Sequence, residues 1–276
     1  MIDEKQIQLL TSKARHIRRQ IVTMVHRANS GHVGGSLGAA DIVVALYYAA
    51  MRHDPKKPDW GKRDRFILSK GHCTPVVYAT LADCGYFPES DLAGFRRPGS
   101  HLQGHPCHIK TPGLDASTGT LGLGLSTAAG MALGGKLRGE SQYYYVLCGD
   151  GELQEGQIWE SALFCHKYKL DNLIGFVDRN YLQTDGNSED VMPLDPLLPK
   201  WEAFGWNTFE IDGNDMAQIL AAINRAKKAK GRPTMIVART VKGKGVPFME
   251  NVALWHGTPP NDDEYHLAME ALKDGI

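Results

Sequence analysis

Tyr143-Tyr144-Tyr145-Val146-Leu147-Cys148-Gly149-Asp150-Gly151 is the stretch from which the architecture of this chain can be read. The run from Tyr143 to Cys148 predicts a strand, and the glycines mark its end in a turn. Glu152 to about Tyr168 reads as a helix, with apolar Ile158, Ala162 and Cys165 at helical spacing. Asn172 to Val177 reads as a second strand, followed by Asp178-Arg179-Asn180. A strand, a crossover helix and a parallel strand bring both strand ends to one edge of a sheet, where α/β proteins bind ligands. Asp150 and Asn180, thirty positions apart, are therefore predicted to meet there.

The oxygens of these side chains point to a chemistry. A carboxylate, an amide carbonyl and a main-chain carbonyl beyond Asn180 are hard ligands suited to magnesium that also takes phosphate oxygens. Glycines on both sides of Asp150 let backbone approach a ligand, and a helix starting near Glu152 would aim its free amides at the same place. An anion is favoured there.

The rest of the chain alternates helix and strand without repeats, low-complexity tracts or a dividing linker. Helices are expected over Gln6 to Arg27, Leu37 to Ala50, from about Pro75, within Thr118 to Leu137, and over Met216 to Lys230. Arg65 to Leu68, Thr208 to Ile211 and Thr234 to Ala238 read as further strands, while Phe87 to Pro112 and Pro193 to Pro199 read as irregular. The pattern predicts an α/β fold, a parallel sheet with helices on both faces.

Composition excludes some classes of function. Lys plus Arg and Asp plus Glu are both 31, so no global field draws nucleic acid or an anionic membrane. The start, Met1-Ile2-Asp3-Glu4-Lys5, has acids where a secretory signal needs a basic start and an apolar run. The twenty uncharged residues between Asp115 and Lys136 carry too much Gly, Ser and Thr for a membrane span. Five cysteines without a Cys-x-x-Cys pair fit a reducing, cytoplasmic compartment. His101, His105, Cys107 and His108 crowd too closely for a zinc site. Gly130 to Leu137 has P-loop spacing, yet Leu137 replaces the hydroxyl that would hold magnesium. No strand leads into a Gly-x-Gly-x-x-Gly, which argues against a nicotinamide cofactor.

Gly149-Asp150-Gly151 with Asn180 resembles the thiamine diphosphate motif, although Arg179 stands where a first asparagine is usual. Further matches, in the same order along nearly the whole chain, resemble transketolases. They are Asn29 to Gly38 around His32, Ser69-Lys70-Gly71-His72, Gly104-His105-Pro106, the glycine loop Thr118 to Gly124, and Trp255-His256-Gly257-Thr258-Pro259. Val33 and Gly35 stand where proline and alanine are commoner. Imidazole suits hydrogen bonding to diphosphate or sugar hydroxyls and proton exchange near neutral pH.

The resemblance implies a transketolase that moves a two-carbon ketol unit between sugar phosphates, as in pentose phosphate metabolism, with thiamine diphosphate and Mg2+. Asp150, Asn180 and the carbonyl of Leu182 would bind the metal. His72, Gly119, Leu121, Gly149, Gly151, Glu152 and His256 would contact the cofactor. His105 would meet the donor's first hydroxyl, and His32 with His256 the hydroxyl that loses its proton. Glu155 and Glu160 would join a proton relay between two active sites, or are solvated acids near a helix start. Lys242-Gly243-Lys244-Gly245 would form a loop over the diphosphate, or is a solvated turn.

At 276 residues the chain fits a single domain, the diphosphate-binding one, whereas a full transketolase needs pyrimidine-binding and C-terminal domains as well. The resemblance thus implies a split enzyme built from two copies of each chain, with those further domains on a C-terminal subunit. Deoxyxylulose phosphate synthesis, 2-oxo acid decarboxylation by a two-chain complex, and a non-catalytic cofactor-binding module are the alternatives.

Overall fold

A computed structural model describes residues 3–273; Met1 and Ile2, the start of the acidic N-terminal stretch, lie outside the described residues. The strands are β1 (Arg65–Leu68), β2 (Tyr144–Gly149), β3 (Leu173–Arg179), β4 (Leu182–Gln183), β5 (Gly186–Asn187), β6 (Asn207–Asp212) and β7 (Thr234–Arg239). The helices are α1 (Glu4–Ala28), α2 (Val33–Gly38), α3 (Ala40–Ala45), α4 (Thr74–Asp83), α5 (Leu123–Leu137), α6 (Gly156–Lys167), α7 (Ser188–Val191), α8 (Leu197–Ala203), α9 (Met216–Lys228) and α10 (Asp262–Ala271). Among the described residues, no helix is long and apolar enough to cross a membrane.

Five strands form one parallel sheet in the order β1-β2-β3-β7-β6. Alternation along each strand sends side chains to opposite faces. Tyr145, Leu147, Ile174, Phe176 and Ile236 enter one core with α1, α3, α4 and α9. Tyr144, Val146, Cys148, Leu173, Val177 and Val237 enter the other, with α5, α6 and α8. Every residue of β3 is buried, as a central strand covered on both faces requires. Register pairs Gly149 with Asp178, so β2 and β3 end level with each other.

Several local expectations need correction. Glu152 does not start the crossover helix: Gly151–Gln154 form a 3-10 turn, and α6 begins at Gly156. The Glu152 carboxylate folds back onto the Gly149 and Gly122 amides, and Glu155 is extended, which separates turn from helix. The amides of α6 are therefore not what faces Asp150. The helix expected from Leu37 starts already at Val33 and divides into α2, α3 and a π-helical turn over Leu46–Ala50. The loop from Pro193 gives way to α8 at Leu197.

The glycine loop meets β1 at close range. A Cβ on Gly124 would lie 2.6 Å from the Ser69 Cα, against backbone that cannot yield. Gly124→Ala is expected to destabilise the fold by about 1–3 kcal/mol, measured as a lower urea midpoint with unchanged slope.

Candidate functional site

Four strand ends converge on one cavity. The chain leaves β1 into Ser69-Lys70-Gly71-His72, β2 into Asp150-Gly151, β3 into Asn180 and β7 into Thr240-Val241-Lys242. The cavity has a volume of about 490 Å³ and is lined by every predicted site residue except Glu160, which is exposed on α6. Glu155 is also exposed but reaches the rim.

Beneath the cavity lies a buried ion pair between Lys70 and Asp178, which sequence reading did not assign. Lys70 Nζ also donates to the Gly35 carbonyl at 3.0 Å, and the Thr240 hydroxyl donates to the second oxygen of Asp178. Burial alone would raise the Asp178 pKa, yet Lys70 and these donors hold it below its ordinary value. The unusual Gly35 is explained here, because Cys73 Sγ lies 2.8 Å from where its Cβ would be.

Asp150 is buried, with Oδ1 accepting from Gly151 N at 2.8 Å and Oδ2 from Tyr181 N at 2.6 Å. Burial, then the charge of Asp178, raises its pKa, so a cation at this carboxylate is favoured. Asn180 Oδ1 accepts from Leu182 N at 3.1 Å, and the Leu182 carbonyl accepts from Lys242 Nζ at 2.7 Å. These hard oxygens suit magnesium by type. Glu152 has its oxygens committed to Ser69 and to the Gly122 and Gly149 amides, so it braces the loops.

His32, His72 and His256 cluster with ring centroids 5.0 to 5.4 Å apart. His105 sits against Gly119, whose Cβ would lie 3.3 Å from its ring. The imidazoles are held neutral. Burial, followed by His72, lowers His32 to about 4; burial, followed by Lys70, lowers His72 to about 4; burial, followed by Lys242, lowers His256 to about 2. Burial also lowers His105. His32 Nδ1 is buried without a hydrogen-bond partner, as an atom awaiting a ligand's hydroxyl or phosphate would be.

Lys242 is buried rather than solvated, and donates to His256 Nδ1 at 2.9 Å. Burial lowers its pKa to about 8. Arg96 was also missed: it donates to Ser30 Oγ at 2.9 Å, and its charge depresses both His32 and His105. Its position after Phe95, in a stretch read only as irregular, gave no signal.

Residues 10–273 match the family described as "Transketolase, thiamine diphosphate binding domain". A 6-deoxy-6-sulfo-D-fructose transketolase subunit of Clostridium is 42% identical over 99% of this chain and 98% of its own length. An apulose-4-phosphate transketolase subunit of Actinobacillus succinogenes is 43% identical over 96% of each chain. The crystal structure of Campylobacter jejuni transketolase superposes with a TM-score of 0.91 at 35% identity, over 96% of this chain and 43% of that one.

Two expectations follow from the site's charges. Asp178→Asn leaves the Lys70 ammonium buried beside a neutral amide, and should cost about 3–5 kcal/mol in denaturant unfolding, partly recovered by adding Lys70→Met. The depressed imidazoles stay neutral in the folded protein, whereas those of the unfolded chain take up protons below about pH 6.5. Stability should thus be full above that pH and fall on acidification towards about 4, the folded value for His72. In His72→Gln the decline of the urea midpoint over that range should be shallower.

Proposed function

From the membership of this chain in the transketolase thiamine diphosphate binding domain family, we propose that it is the N-terminal subunit of a two-chain transketolase. It moves a two-carbon ketol unit from a ketose phosphate to an aldose phosphate, with thiamine diphosphate and Mg2+. The observation that carries this reading is the gathering of His32, His72, His105 and His256 with Asp150 and Asn180 in one cavity. A site for a metal diphosphate alone has no need of so many neutral imidazoles.

Thiamine diphosphate, when bound, supplies the carbon nucleophile and electron sink for carbon–carbon bond cleavage and formation. The chain's own residues hold and orient. Asp150, Asn180 and the Leu182 carbonyl would hold the metal, Gly149, Gly151, His72 and His256 would contact the diphosphate, and Gly119 and Leu121 would contact the rest of the cofactor. Lys242, poised on the Leu182 carbonyl and His256, neutralises phosphate charge. His105 donates to the first hydroxyl of the donor sugar. His32 and His256 would lie at the sugar hydroxyl whose proton leaves when the carbon bond breaks, with neutral His32 accepting its hydrogen bond. Glu155, at the rim, and Glu160, on the outer face of α6, relay protons towards a second site.

The division into two chains is supported by relatives that are themselves named as subunits. This chain covers nearly the whole of relatives that are named as subunits, but about two-fifths of the solved transketolase chains. Its C-terminal partner would carry the pyrimidine-binding and C-terminal domains, with two copies of each chain, in the cytoplasm. Sugar phosphates of the pentose phosphate type are the first substrates to test.

Ketol transfer from xylulose 5-phosphate to ribose 5-phosphate, with magnesium and thiamine diphosphate, is the experiment. The assembly isolated from the native host through this tagged chain should be active, and the chain alone silent. Activity of the lone chain would refute the two-chain reading. Silence in both would count against these sugars, and a parallel test with pyruvate as donor would then separate a transketolase from a 2-oxo acid enzyme.

A further inference from the structure

Arg179 stands where the cofactor motif usually has an asparagine, and neither the fold nor the proposed chemistry calls for a guanidinium there. It is fully buried, at 1% exposure, on the last residue of β3. Nη1 donates to Ser188 Oγ at 3.0 Å and lies 3.5 Å from Asp150 Oδ2. Nη2 donates to Glu189 Oε1 at 2.5 Å and to Asp195 Oδ2 at 3.1 Å. Glu189 in turn accepts from the amides of Leu194 and Asp195. One guanidinium therefore ties both ends of the excursion from Tyr181 to Asp195 to the carboxylate of Asp150.

That excursion is a wall of the cavity, since Leu182, Gln183, Thr184 and Asp185 line it. Its first residue, Tyr181, is held in the left-handed region at φ 62 with its ring 3.9 Å from the Arg179 guanidinium. Its amide donates to the same Asp150 oxygen. A non-glycine residue in this conformation persists only where its surroundings impose it. The distances also rank the contacts: Glu189 and Asp195 are nearer to the guanidinium than Asp150 is. They take most of its charge, which leaves Asp150 oriented but still free to hold a cation.

We propose that Arg179 is a positioning residue that couples cation and diphosphate binding at Asp150 to the order of the 181–195 segment. The coupling rests on the function proposed above. Lysine cannot replace it, because a single ammonium cannot reach Asp150, Ser188, Glu189 and Asp195 from one position. Glu189 is the remote end of the same clasp and does not line the cavity.

The test uses the assembly purified through the tagged chain, as wild type, Arg179→Lys and Glu189→Gln, with thiamine diphosphate and Mn2+ or Mg2+ as probes. Hydrogen exchange of segment 181–195 and the Kd for Mn2+ are read together. In the wild type, cofactor and metal should slow exchange across the segment. In both variants that protection should be lost and the Kd should rise by about tenfold or more, while exchange in the sheet strands stays unchanged. Glu189→Gln keeps the test open should Arg179→Lys not fold. Wild-type binding with equal affinity and equal protection in a folded variant would overturn the coupling and leave the functional reading intact. Absence of binding by the wild-type assembly would overturn the functional reading, and the coupling with it.

Discussion

The buried ion pair of Lys70 with Asp178 is the constraint on which the site is built. Taking two charges out of water costs several kcal/mol each, and their attraction repays this only if the remaining donors and acceptors are satisfied. Here they are, by the Gly35 carbonyl on one side and the Thr240 hydroxyl on the other. Four segments are thereby fixed at one point: the exit of β1, the end of β3, the exit of β7 and helix α2 next to His32. A buried charge pair tolerates little displacement, so the loops that carry the site inherit its geometry. The same pair sets the electrostatics above it, because the Asp178 charge raises the Asp150 pKa while Lys70 depresses His72.

The cavity is prepared for an anion by two different devices. Lys242 and Lys70 supply charge, one with a lowered pKa and the other fixed by its carboxylate. The imidazoles supply directional, uncharged hydrogen-bonding groups, neutral because burial and the lysines both oppose their protonation. Neutral imidazole can accept a proton from a hydroxyl, which imidazolium cannot. Burial, usually a cost for polar groups, here keeps the imidazoles in the neutral form that can accept a hydrogen bond.

Much of this was legible in the residues. The strands before Gly149 and Asn180 could be read because parallel central strands are continuous apolar runs, and the short edge strand at Arg65 because Phe66, Ile67 and Leu68 form an apolar run of their own. The histidines could be read only through the resemblance of their loops, in order, to those of transketolases. Less legible was the start of the crossover helix. Glu152 has ordinary helix propensity, and only its bonds to Gly122 and Gly149, one of them thirty positions away, turn the chain into a separate 3-10 turn first. The hairpin of β4 and β5 and the short helix α7 were also missed, because elements of two to four residues are too short to carry a periodic pattern.

Sequence by itself therefore determined the α/β class, the order of the main elements and the meeting of Asp150 with Asn180, because periodicity and crossover handedness are local rules, while resemblance supplied the histidines. Tertiary structure alone decided the protonation states, the buried position of Lys242, and the partners of Lys70, Asp178, Arg96 and Arg179. Those properties depend on desolvation and on charges brought within a few ångströms from distant parts of the chain. Lysine and arginine in particular read as solvated wherever they stand in a sequence, until the fold places a carboxylate or a carbonyl beside them and removes the water.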